Sequence, residues 1–208
     1  MKIIGLSMKI NDIFYTIQGE GSFAGTPAIF IRLSDCNLAC KFCDTEFLSG
    51  KEMRIDGIIE ECLKYECRFI VLTGGEPTMN NQLPELAMYL KRNGFFVTIE
   101  TNGMFNIDTT FLDWICLSPK SGWDHIKISR CNDLKFVVKK GDPLPHVPNM
   151  FKSDHKFISP MNETSGKKIG SESCSELNQE NLNYCIDLIK DNPVWRLNLQ
   201  THKIIGVE

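Results

Sequence analysis

The chain has 208 residues, of which 42% are hydrophobic and 24% are charged, and its formal net charge is −3. These values are typical of a soluble globular protein with a single hydrophobic core. The slightly acidic balance excludes the strongly basic surfaces that bind nucleic acid or anionic membranes, and no apolar run is long enough to span a bilayer. We therefore expect one domain over residues 1–208, with short N- and C-terminal extensions, that binds a small molecule and neither nucleic acid nor a membrane.

The nine cysteines do not form the pattern of a secreted disulfide protein. Their number is odd, and the amino-terminal segment contains neither a long apolar run nor a cleavage-site pattern. A reducing compartment is expected, which predicts a cytoplasmic protein. Six of the cysteines are scattered along the chain and are interpreted as core or incidental thiols: Cys62, Cys67, Cys116, Cys131, Cys174 and Cys185.

In chain order, short apolar segments alternate with segments of helical periodicity. Residues 1–15 are rich in β-prone apolar residues, and residues 27–33 form a near-continuous apolar run that predicts a strand buried on both faces. Apolar residues at helical spacing predict a helix over residues 53–66. Further strands are predicted at 69–72, 95–100, 114–117, 134–138, 156–158 and 194–200, and further helices at 83–90 and 182–189.

Short polar motifs follow several of these strands. The alternation of strands and helices favours a parallel sheet with right-handed crossovers, and ligands bind at the carboxyl ends of the strands in such sheets. The pattern predicts an α/β fold, a partial (open) parallel β/α barrel of about six strands. Since only three helices are clear, we expect a reduced set of helices.

Three cysteines are clustered at Cys36, Cys40 and Cys43. Thiolates are strong ligands for soft metals, but a structural zinc site and most electron-transfer clusters use four protein ligands. Three thiols from one loop therefore leave one coordination position open for chemistry. The alternative interpretations are a zinc loop that takes its fourth ligand from elsewhere and three unrelated buried thiols.

The C-x3-C-x2-C spacing, with Phe42 directly before the last cysteine, resembles the signature of the radical S-adenosylmethionine superfamily. The resemblance implies that the cysteines hold three irons of one 4Fe-4S cluster, while the amino and carboxylate groups of S-adenosylmethionine chelate the fourth. The Gly-Gly-Glu-Pro segment at 74–77 is similar to the motif that holds the methionyl amine in that superfamily. An ordinary glycine turn capped by Glu76 is the alternative.

Further motifs are similar to those of the 7-carboxy-7-deazaguanine synthase family. They occupy residues 14–21, 25–33, 36–38, 43–45, 100–103, 117–120 and 199–203. Two features depart from the family pattern: the stretch 101–118 is short, and Ser-Pro-Met-Asn at 159–162 stands where many relatives have Gln-Pro.

The resemblance implies a ring-contracting lyase of queuosine and 7-deazapurine biosynthesis, which converts 6-carboxy-5,6,7,8-tetrahydropterin to 7-carboxy-7-deazaguanine and ammonia. It implies that S-adenosylmethionine is used catalytically: its 5′-deoxyadenosyl radical takes a hydrogen from substrate carbon 6, and the hydrogen is returned after the rearrangement. It also implies an external one-electron reductant of the flavodoxin or ferredoxin type, Mg²⁺ and a homodimer.

The resemblance assigns residues to both ligands. The S-adenosylmethionine contacts would be Phe42, Cys43, Asp44, Gly75, Glu76, Gly103, Ser118, Pro119, Lys120, Ser159, Pro160, Met161 and Asn162. The substrate contacts would be Ile17, Gln18, Gly19, Glu20, Arg32, Thr101, His202 and Glu208. Ordinary turn residues are the alternative for many of these positions.

Two of the substrate residues have a specific chemical match to a pterin. A carboxylate such as Glu20 can bind the guanidine-like edge with two parallel hydrogen bonds, and Arg32 can bind the substrate carboxylate in a bidentate manner. Arg32 interrupts an apolar strand and therefore needs an anionic partner. A salt bridge between Glu20 and Arg32 is the alternative.

Two further positions carry less specific signals. Thr45, two residues after Cys43, is the candidate magnesium ligand because Mg²⁺ binds few protein oxygens together with water and substrate. A helix-capping or turn threonine is the alternative. The apolar end of the chain indicates a docked terminus. The terminal carboxylate of Glu208 would then contact the pterin beside His202. In that case a carboxy-terminal tag, or deletion of Val207 and Glu208, should raise the KM for the pterin.

Two other functions fit parts of the sequence. A glycyl-radical-enzyme activase would share the cluster motif, but it needs a protein partner and no pterin pocket. A non-enzymatic iron-sulfur or zinc carrier or sensor would have no use for the 74–77 motif.

We predict that replacing Cys36, Cys40 or Cys43 by Ala abolishes the iron-sulfur absorbance and the activity of the reconstituted protein, because each removes one of three cluster ligands. Cys62→Ala is the matched control and should keep both. Loss of the absorbance in the control would indicate a fourth protein ligand and exclude an open iron.

Overall fold

The computed structural model describes residues 5–43, 45–162 and 177–207. The candidate site residues Asp44 and Glu208, and the thiol of Cys174, lie outside the described residues.

One nine-stranded sheet forms the centre of the described part of the chain, in the order β3-β1-β2-β4-β5-β6-β7-β8-β9. Its strands are β1 (Ser7–Ile17), β2 (Pro27–Leu33), β3 (Lys51–Arg54), β4 (Phe69–Gly74), β5 (Phe96–Thr101), β6 (Trp114–Leu117), β7 (Arg130–Val138), β8 (Lys152–Pro160) and β9 (Trp195–Leu197). From β2 through β4 to β9 all neighbours are parallel, whereas β1 pairs antiparallel with β2 and β3. The predicted open, parallel α/β architecture is therefore confirmed, and an antiparallel edge extends it.

Four helices accompany the sheet in the described segments: α1 (Ile55–Leu63), α2 (Leu83–Arg92), α3 (Gln179–Asp191) and α4 (Thr201–Ile205). Helices α1 and α2 bury residues such as Ile58 and Leu86 in the main core, together with Ile31 and Leu72 from the central strands. Since successive strand residues point to opposite faces, Arg32 of β2 and Thr73 of β4 lie on the other face, next to each other near the carboxyl ends of the strands. None of these helices is long and apolar enough to cross a bilayer.

Several element boundaries differ from the sequence expectation: the strands predicted at 134–138 and 156–158 and the helix predicted at 182–189 are longer in the structure, and two other elements change for a visible reason. The predicted helix at 53–66 begins only at Ile55, because residues 51–54 pair with β1 as the edge strand β3. The predicted strand at 194–200 ends at Leu197: the N–H of Asn198 makes the last bond to β8, at 2.9 Å, and the chain then turns into α4.

The loop between β1 and β2, residues 18–26, reaches strands at the far end of the sheet, and we call it the crossing loop. The N–H and hydroxyl of Ser22 donate to the carboxylate of Asp133 on β7 at 2.8 and 2.7 Å. The N–H of Gly21 donates to the side-chain carbonyl of Asn198 after β9 at 2.6 Å. The loop therefore links the two sides of the open barrel.

Phe23 of the crossing loop fills the amino-terminal end of the barrel. Its ring centre lies 4.8 Å from that of Phe69, 5.7 Å from that of Phe96 and 4.9 Å from that of Trp114. These three residues are at the beginning of β4, β5 and β6. Aromatic packing closes this end, so the carboxyl ends of the strands are the ones left for a ligand.

Candidate functional site

The cysteine loop, residues 34–50, leaves the carboxyl end of β2 and leads into β3. Asp35 near its start has a φ of 71°, a left-handed conformation that is uncommon outside glycine. Cys36 and Cys40 are half-buried, Cys43 is exposed, and none of the three is in a disulfide. The loop thus presents its thiols at the edge of the sheet where ligands bind in parallel α/β folds.

The Gly-Gly-Glu-Pro segment after β4 packs directly against the cysteine loop. The N–H of Gly75 donates to the carbonyl of Leu33 at 3.1 Å. The N–H of Glu76 donates to the carbonyl of Asp35 at 2.9 Å. A Cβ atom on Gly75 would lie 1.9 Å from the Asp35 carbonyl oxygen and 2.9 Å from the Cβ of Cys36. Only glycine permits this approach, which fixes the backbone at the first cysteine.

The electrostatic surroundings of Cys36 suit a cationic metal centre. Burial raises the pKa of the Cys36 thiol, and the negative charges of Glu76, Cys43 and Cys40 raise it further. The N–H of Leu38 acts in the opposite direction. A metal cation would displace the thiol protons and compensate the accumulated negative charge.

The donor set fits a 4Fe-4S cluster in kind and number. Cys36, Cys40 and Cys43 offer three soft ligands from one loop, and Cys36 lies against the glycine segment that fixes its backbone. Within the described segments, no three His, Cys, Asp or Glu side chains are already gathered as a metal site.

The carboxylate of Glu76 connects the ends of two neighbouring strands. Its side chain is buried, and Oε1 accepts from the N–H and hydroxyl of Thr78 and, at 2.7 Å, from the hydroxyl of Thr101. Oε2 accepts from the N–H of Asn102 at 2.7 Å. Because a carboxylate has about four acceptor positions, most of those on Glu76 are used within the protein. Glu76 thereby holds the turn that leads to Gly103, a structural role that the motif alone did not indicate.

The other candidate S-adenosylmethionine residues follow β5, β6 and β8. The ammonium of Lys120 donates to the hydroxyl of Ser118 at 2.7 Å and lies 5.5 Å from the ring centre of Phe42. The end of β6 therefore meets the cysteine loop. The remaining described positions are Gly103 after β5, Pro119 after β6, and Ser159, Pro160, Met161 and Asn162 at the end of β8 and just beyond it.

Residues before and within α3 fix the segment after β8. The side-chain amide of Asn181 donates to the carbonyl of Met161 at 2.6 Å, and the N–H of Asn178 donates to the side chain of Asn162 at 3.2 Å. The side chain of Asn178 in turn caps α3 by accepting from the N–H of Asn181 at 2.9 Å. The segment 159–162, where the sequence departs from the family pattern, is thus held in place by the start of α3.

Glu20, in the crossing loop, is surrounded by hydrogen-bond donors from the last third of the chain. Its Oε2 accepts from the ammonium of Lys135 at 2.5 Å and from the amide of Asn198 at 3.3 Å, and Oε1 accepts from the amide of Gln200 at 3.0 Å. Burial alone would raise the pKa of Glu20. The charge and hydrogen bond of Lys135, together with Gln200 and His202, outweigh burial and lower this pKa to about 2. Glu20 is therefore a carboxylate across the neutral pH range.

Lys135 of β7, rather than Arg32, is the cationic partner of Glu20. Its ammonium also lies 3.2 Å from the carboxylate of Glu100 on β5, and its side chain is only 10% exposed. Burial would lower the pKa of Lys135, but Glu100 and Glu20 raise it well above its usual value. Arg32 forms no ion pair with the described residues, and its guanidinium lies 4.9 Å from the ring centre of Phe14. The alternative of a Glu20–Arg32 salt bridge is thus not what the structure shows.

The start of the crossing loop is anchored to α4. The carbonyl of Gly19 accepts from the N–H and hydroxyl of Thr201 at 3.1 and 3.0 Å. A Cβ on Gly19 would lie 2.0 Å from Nδ1 of His202, so the loop backbone rests on that ring. The side chain of Gln18 accepts from the N–H of Glu20 at 3.1 Å. Gln18, Gly19, Glu20 and His202 are thereby brought together.

Two candidate residues lie at the margins of this arrangement. Ile17 is the last residue of β1. Thr45 lies two residues after Cys43, and its carbonyl oxygen is 3.7 Å from the Sγ of Cys43.

Sequence reasoning missed Lys135, Glu100 and Asn198, all of which contribute to the surroundings of Glu20. A usable signal existed for Lys135, since it stands between Leu134 and Phe136 in an apolar strand. The same argument that singled out Arg32 applies to it, because a cation inside a buried strand requires an anionic partner. Asn198 carries no such signal.

Residues 31–130 match the sequence model of the Radical SAM superfamily. The chain is 39% identical over 199 residues to the 7-carboxy-7-deazaguanine synthase of Bacteroides thetaiotaomicron, covering 96% of this chain and 98% of that protein. It is 34% identical over 208 residues to the 7-carboxy-7-deazaguanine synthase of Haemophilus influenzae, covering 97% and 95% of the two chains. The crystal structure of QueE from Escherichia coli superposes with a TM-score of 0.68 at 26% identity, covering 93% of both chains.

We predict that Glu76→Gln lowers the free energy of unfolding by about 2 kcal/mol, because an amide group replaces an acceptor that faces buried donors. The same change should weaken S-adenosylmethionine binding, since the turn before Gly103 loses its anchor. Anaerobic urea unfolding and calorimetric titration measure the two effects. Glu180→Gln is the control, because its carboxylate is 68% exposed in an ion pair with Lys140. Equal stabilities of the two variants would contradict the anchoring role.

Proposed function

Because the chain belongs to the radical S-adenosylmethionine superfamily and, within it, to the 7-carboxy-7-deazaguanine synthases, we propose that it converts 6-carboxy-5,6,7,8-tetrahydropterin to 7-carboxy-7-deazaguanine and ammonia in queuosine biosynthesis. The observation that carries this proposal is the presence of a partly buried anion and an available cation at the carboxyl end of the barrel. Glu20 is ionised and faces inward, and Arg32 lacks an ion-pair partner among the described residues. A carboxylated pterin suits both groups, because its guanidine-like edge donates to a carboxylate and its own carboxylate binds a guanidinium.

Cys36, Cys40 and Cys43 would hold one 4Fe-4S cluster, and S-adenosylmethionine would bind beside it. When bound, the cluster and S-adenosylmethionine supply the radical chemistry, which requires an external one-electron reductant of the flavodoxin or ferredoxin type. Phe42 and Lys120 meet at one side of this region, and the turn held by Glu76 lies at another. These residues position the cofactor and limit the access of water.

The substrate would lie between the crossing loop and β2. The carboxylate of Glu20 would accept hydrogen bonds from the guanidine-like edge of the pterin, and Arg32 would bind the pterin carboxylate through two N–H groups. Gln18 and Thr101 would contribute polar contacts, although the hydroxyl of Thr101 is already bonded to Glu76. The protein's part is thus to fix both ends of the ring system relative to the cofactor.

The assembly around this site is also part of the proposal. The chain would act as one radical S-adenosylmethionine domain, as a cytoplasmic homodimer. Sedimentation of the purified protein would test the dimer, and a monomeric mass would refute it.

The reaction is tested with anaerobically reconstituted protein, reductant, S-adenosylmethionine and the pterin. We expect 7-carboxy-7-deazaguanine, identified by its mass, and its absence with an intact cluster would overturn the proposed function.

Arg32→Lys should raise the KM for the pterin about tenfold or more, because a lysine lacks the bidentate contact with a carboxylate. Arg92→Lys is the matched control, since its guanidinium also lies over an aromatic ring, that of Tyr89, but at the end of α2. Equal KM values would exclude Arg32 from the substrate site.

Thr45 is proposed to ligate Mg²⁺ together with the substrate carboxylate and water. Removal of Mg²⁺ by a chelator should therefore lower the rate, and Thr45→Val should weaken the response to added Mg²⁺. Thr45→Ser, which keeps the hydroxyl, is the control. A rate indifferent to Mg²⁺ would refute this assignment.

A further inference from the structure

Lys135 is a buried ammonium placed between two carboxylates from different parts of the chain. It lies 2.5 Å from Glu20 of the crossing loop and 3.2 Å from Glu100 of β5. Neither the sequence motifs nor the proposed function gives it a role. Because the ammonium is buried and the carboxylates of Glu20 and Glu100 are only 17% and 22% exposed, the three groups carry a desolvation cost that their ion pairs must offset.

The acceptor positions of Glu20 are almost fully occupied by the protein itself. A carboxylate oxygen accepts about two hydrogen bonds. Oε2 already accepts from Lys135 and Asn198, whereas Oε1 accepts from Gln200 among the contacts that the structure gives. Recognition of a pterin edge by two parallel hydrogen bonds needs one position on each oxygen. One of the two donors on Oε2 must therefore leave when the substrate binds.

Asn198 is the donor that is held in place. Its Nδ2 also donates to the hydroxyl of Ser159 at 2.8 Å, and its Oδ1 accepts from the N–H of Gly21 at 2.6 Å. Its side chain is thus fixed from both ends of the amide. Movement of Asn198 would break the bonds that anchor the crossing loop itself.

Lys135 has an alternative partner within reach. Its ammonium has three donors on a flexible stem, and the carboxylate of Glu100 is already close enough for an ion pair. A small shift toward Glu100 would free Oε2 of Glu20 without leaving the ammonium unpaired in a buried position.

We propose that Lys135 is a positioning residue that is paired with Glu20 before the substrate binds and shifts to Glu100 when the donor edge of the substrate binds to Glu20. The inference rests on the proposed pterin substrate. Lys135 holds Glu20 ionised before binding, and Glu100 is the receiving carboxylate that makes the exchange possible.

Other charged and titratable groups face this triad. They are Cys116 of β6, Lys120 after β6, Asp133 of β7 and His202 of α4. Asp133 is engaged by Ser22, and the pKa of Cys116 is raised well above its usual value by burial and by Glu100. All four remain in the variants below, but Glu100 raises the pKa of Cys116 and Lys135 lowers that of Lys120, so each variant also shifts the pKa of a neighbour.

The test measures the binding of 6-carboxypterin, a stable analogue with the same donor edge, by fluorescence in the presence of S-adenosylmethionine. In Lys135→Met, the buried Glu20 loses its counter-ion, its pKa rises, and the protonated form can no longer accept two hydrogen bonds. The ratio of the variant Kd to the wild-type Kd should therefore rise about tenfold or more between about pH 7 and pH 5. Taking the ratio removes the ionisation of the probe from the comparison.

Glu100→Gln should give the opposite pattern. Lys135 then has only Glu20 as a charged partner, so its ammonium resists displacement and the Kd should rise by about the same factor at every pH. This variant keeps Glu20 ionised and provides an independent measurement if Lys135→Met is poorly folded. Lys156→Met is the matched control on β8, since the ammonium of Lys156 lies 5.9 Å from the ring centre of Trp195, away from the triad.

The outcomes separate the inference from the function. If wild-type protein does not bind 6-carboxypterin, the proposed function fails and the inference fails with it. If wild-type protein binds and both variants bind equally well at every pH, the function stands and the exchange of Lys135 is overturned. A pH-dependent Kd ratio in Lys135→Met with a pH-independent one in Glu100→Gln would support it.

Discussion

The carboxylate of Asp133 holds the crossing loop against β7, and the proposed substrate end of the site depends on this contact. Asp133 is buried, and its two oxygens accept from the N–H and hydroxyl of Ser22. A buried carboxylate without partners is costly, so the loop and the strand stabilise each other. Because Glu20 is two residues before Ser22, the same contact sets where the proposed pterin-binding carboxylate lies. An open barrel with few helices is thus completed by a loop rather than by further strands.

The central strands were predictable because they are buried on both faces. Apolar runs such as 27–33 and 69–72 leave little choice of structure, and the strands observed there are Pro27–Leu33 and Phe69–Gly74. The edge strand β3 was not predictable from its own sequence, Lys-Glu-Met-Arg. It is a strand because β1 offers unpaired backbone groups beside it, and such pairing is a tertiary effect that local pattern does not contain.

The cofactor side of the candidate site was more accessible to sequence reasoning than the substrate side. The cysteine loop and the 74–77 motif are each local: the three clustered thiols indicate a metal site by residue type and spacing, and the resemblance implies the role of 74–77. The environment of Glu20 is assembled from Lys135, Asn198 and Gln200, which are more than a hundred residues away in the chain. Residue types alone therefore suggested Arg32 as a partner, whereas the backbone path brings Lys135 to that position.

The long sequence separation of the crossing-loop contacts has a consequence for the order of folding. The glycine segment at 74–76 meets the cysteine loop through contacts confined to the first half of the chain. The crossing loop bonds to Asp133, Asn198 and Thr201, at separations of 111, 177 and 182 residues. Contacts of such separation require most of the chain to be ordered first. During synthesis the half of the chain that contains the cysteine loop can therefore form while the chain is still incomplete, whereas Glu20 gains its full set of partners only after Asn198 and Gln200 have emerged from the ribosome.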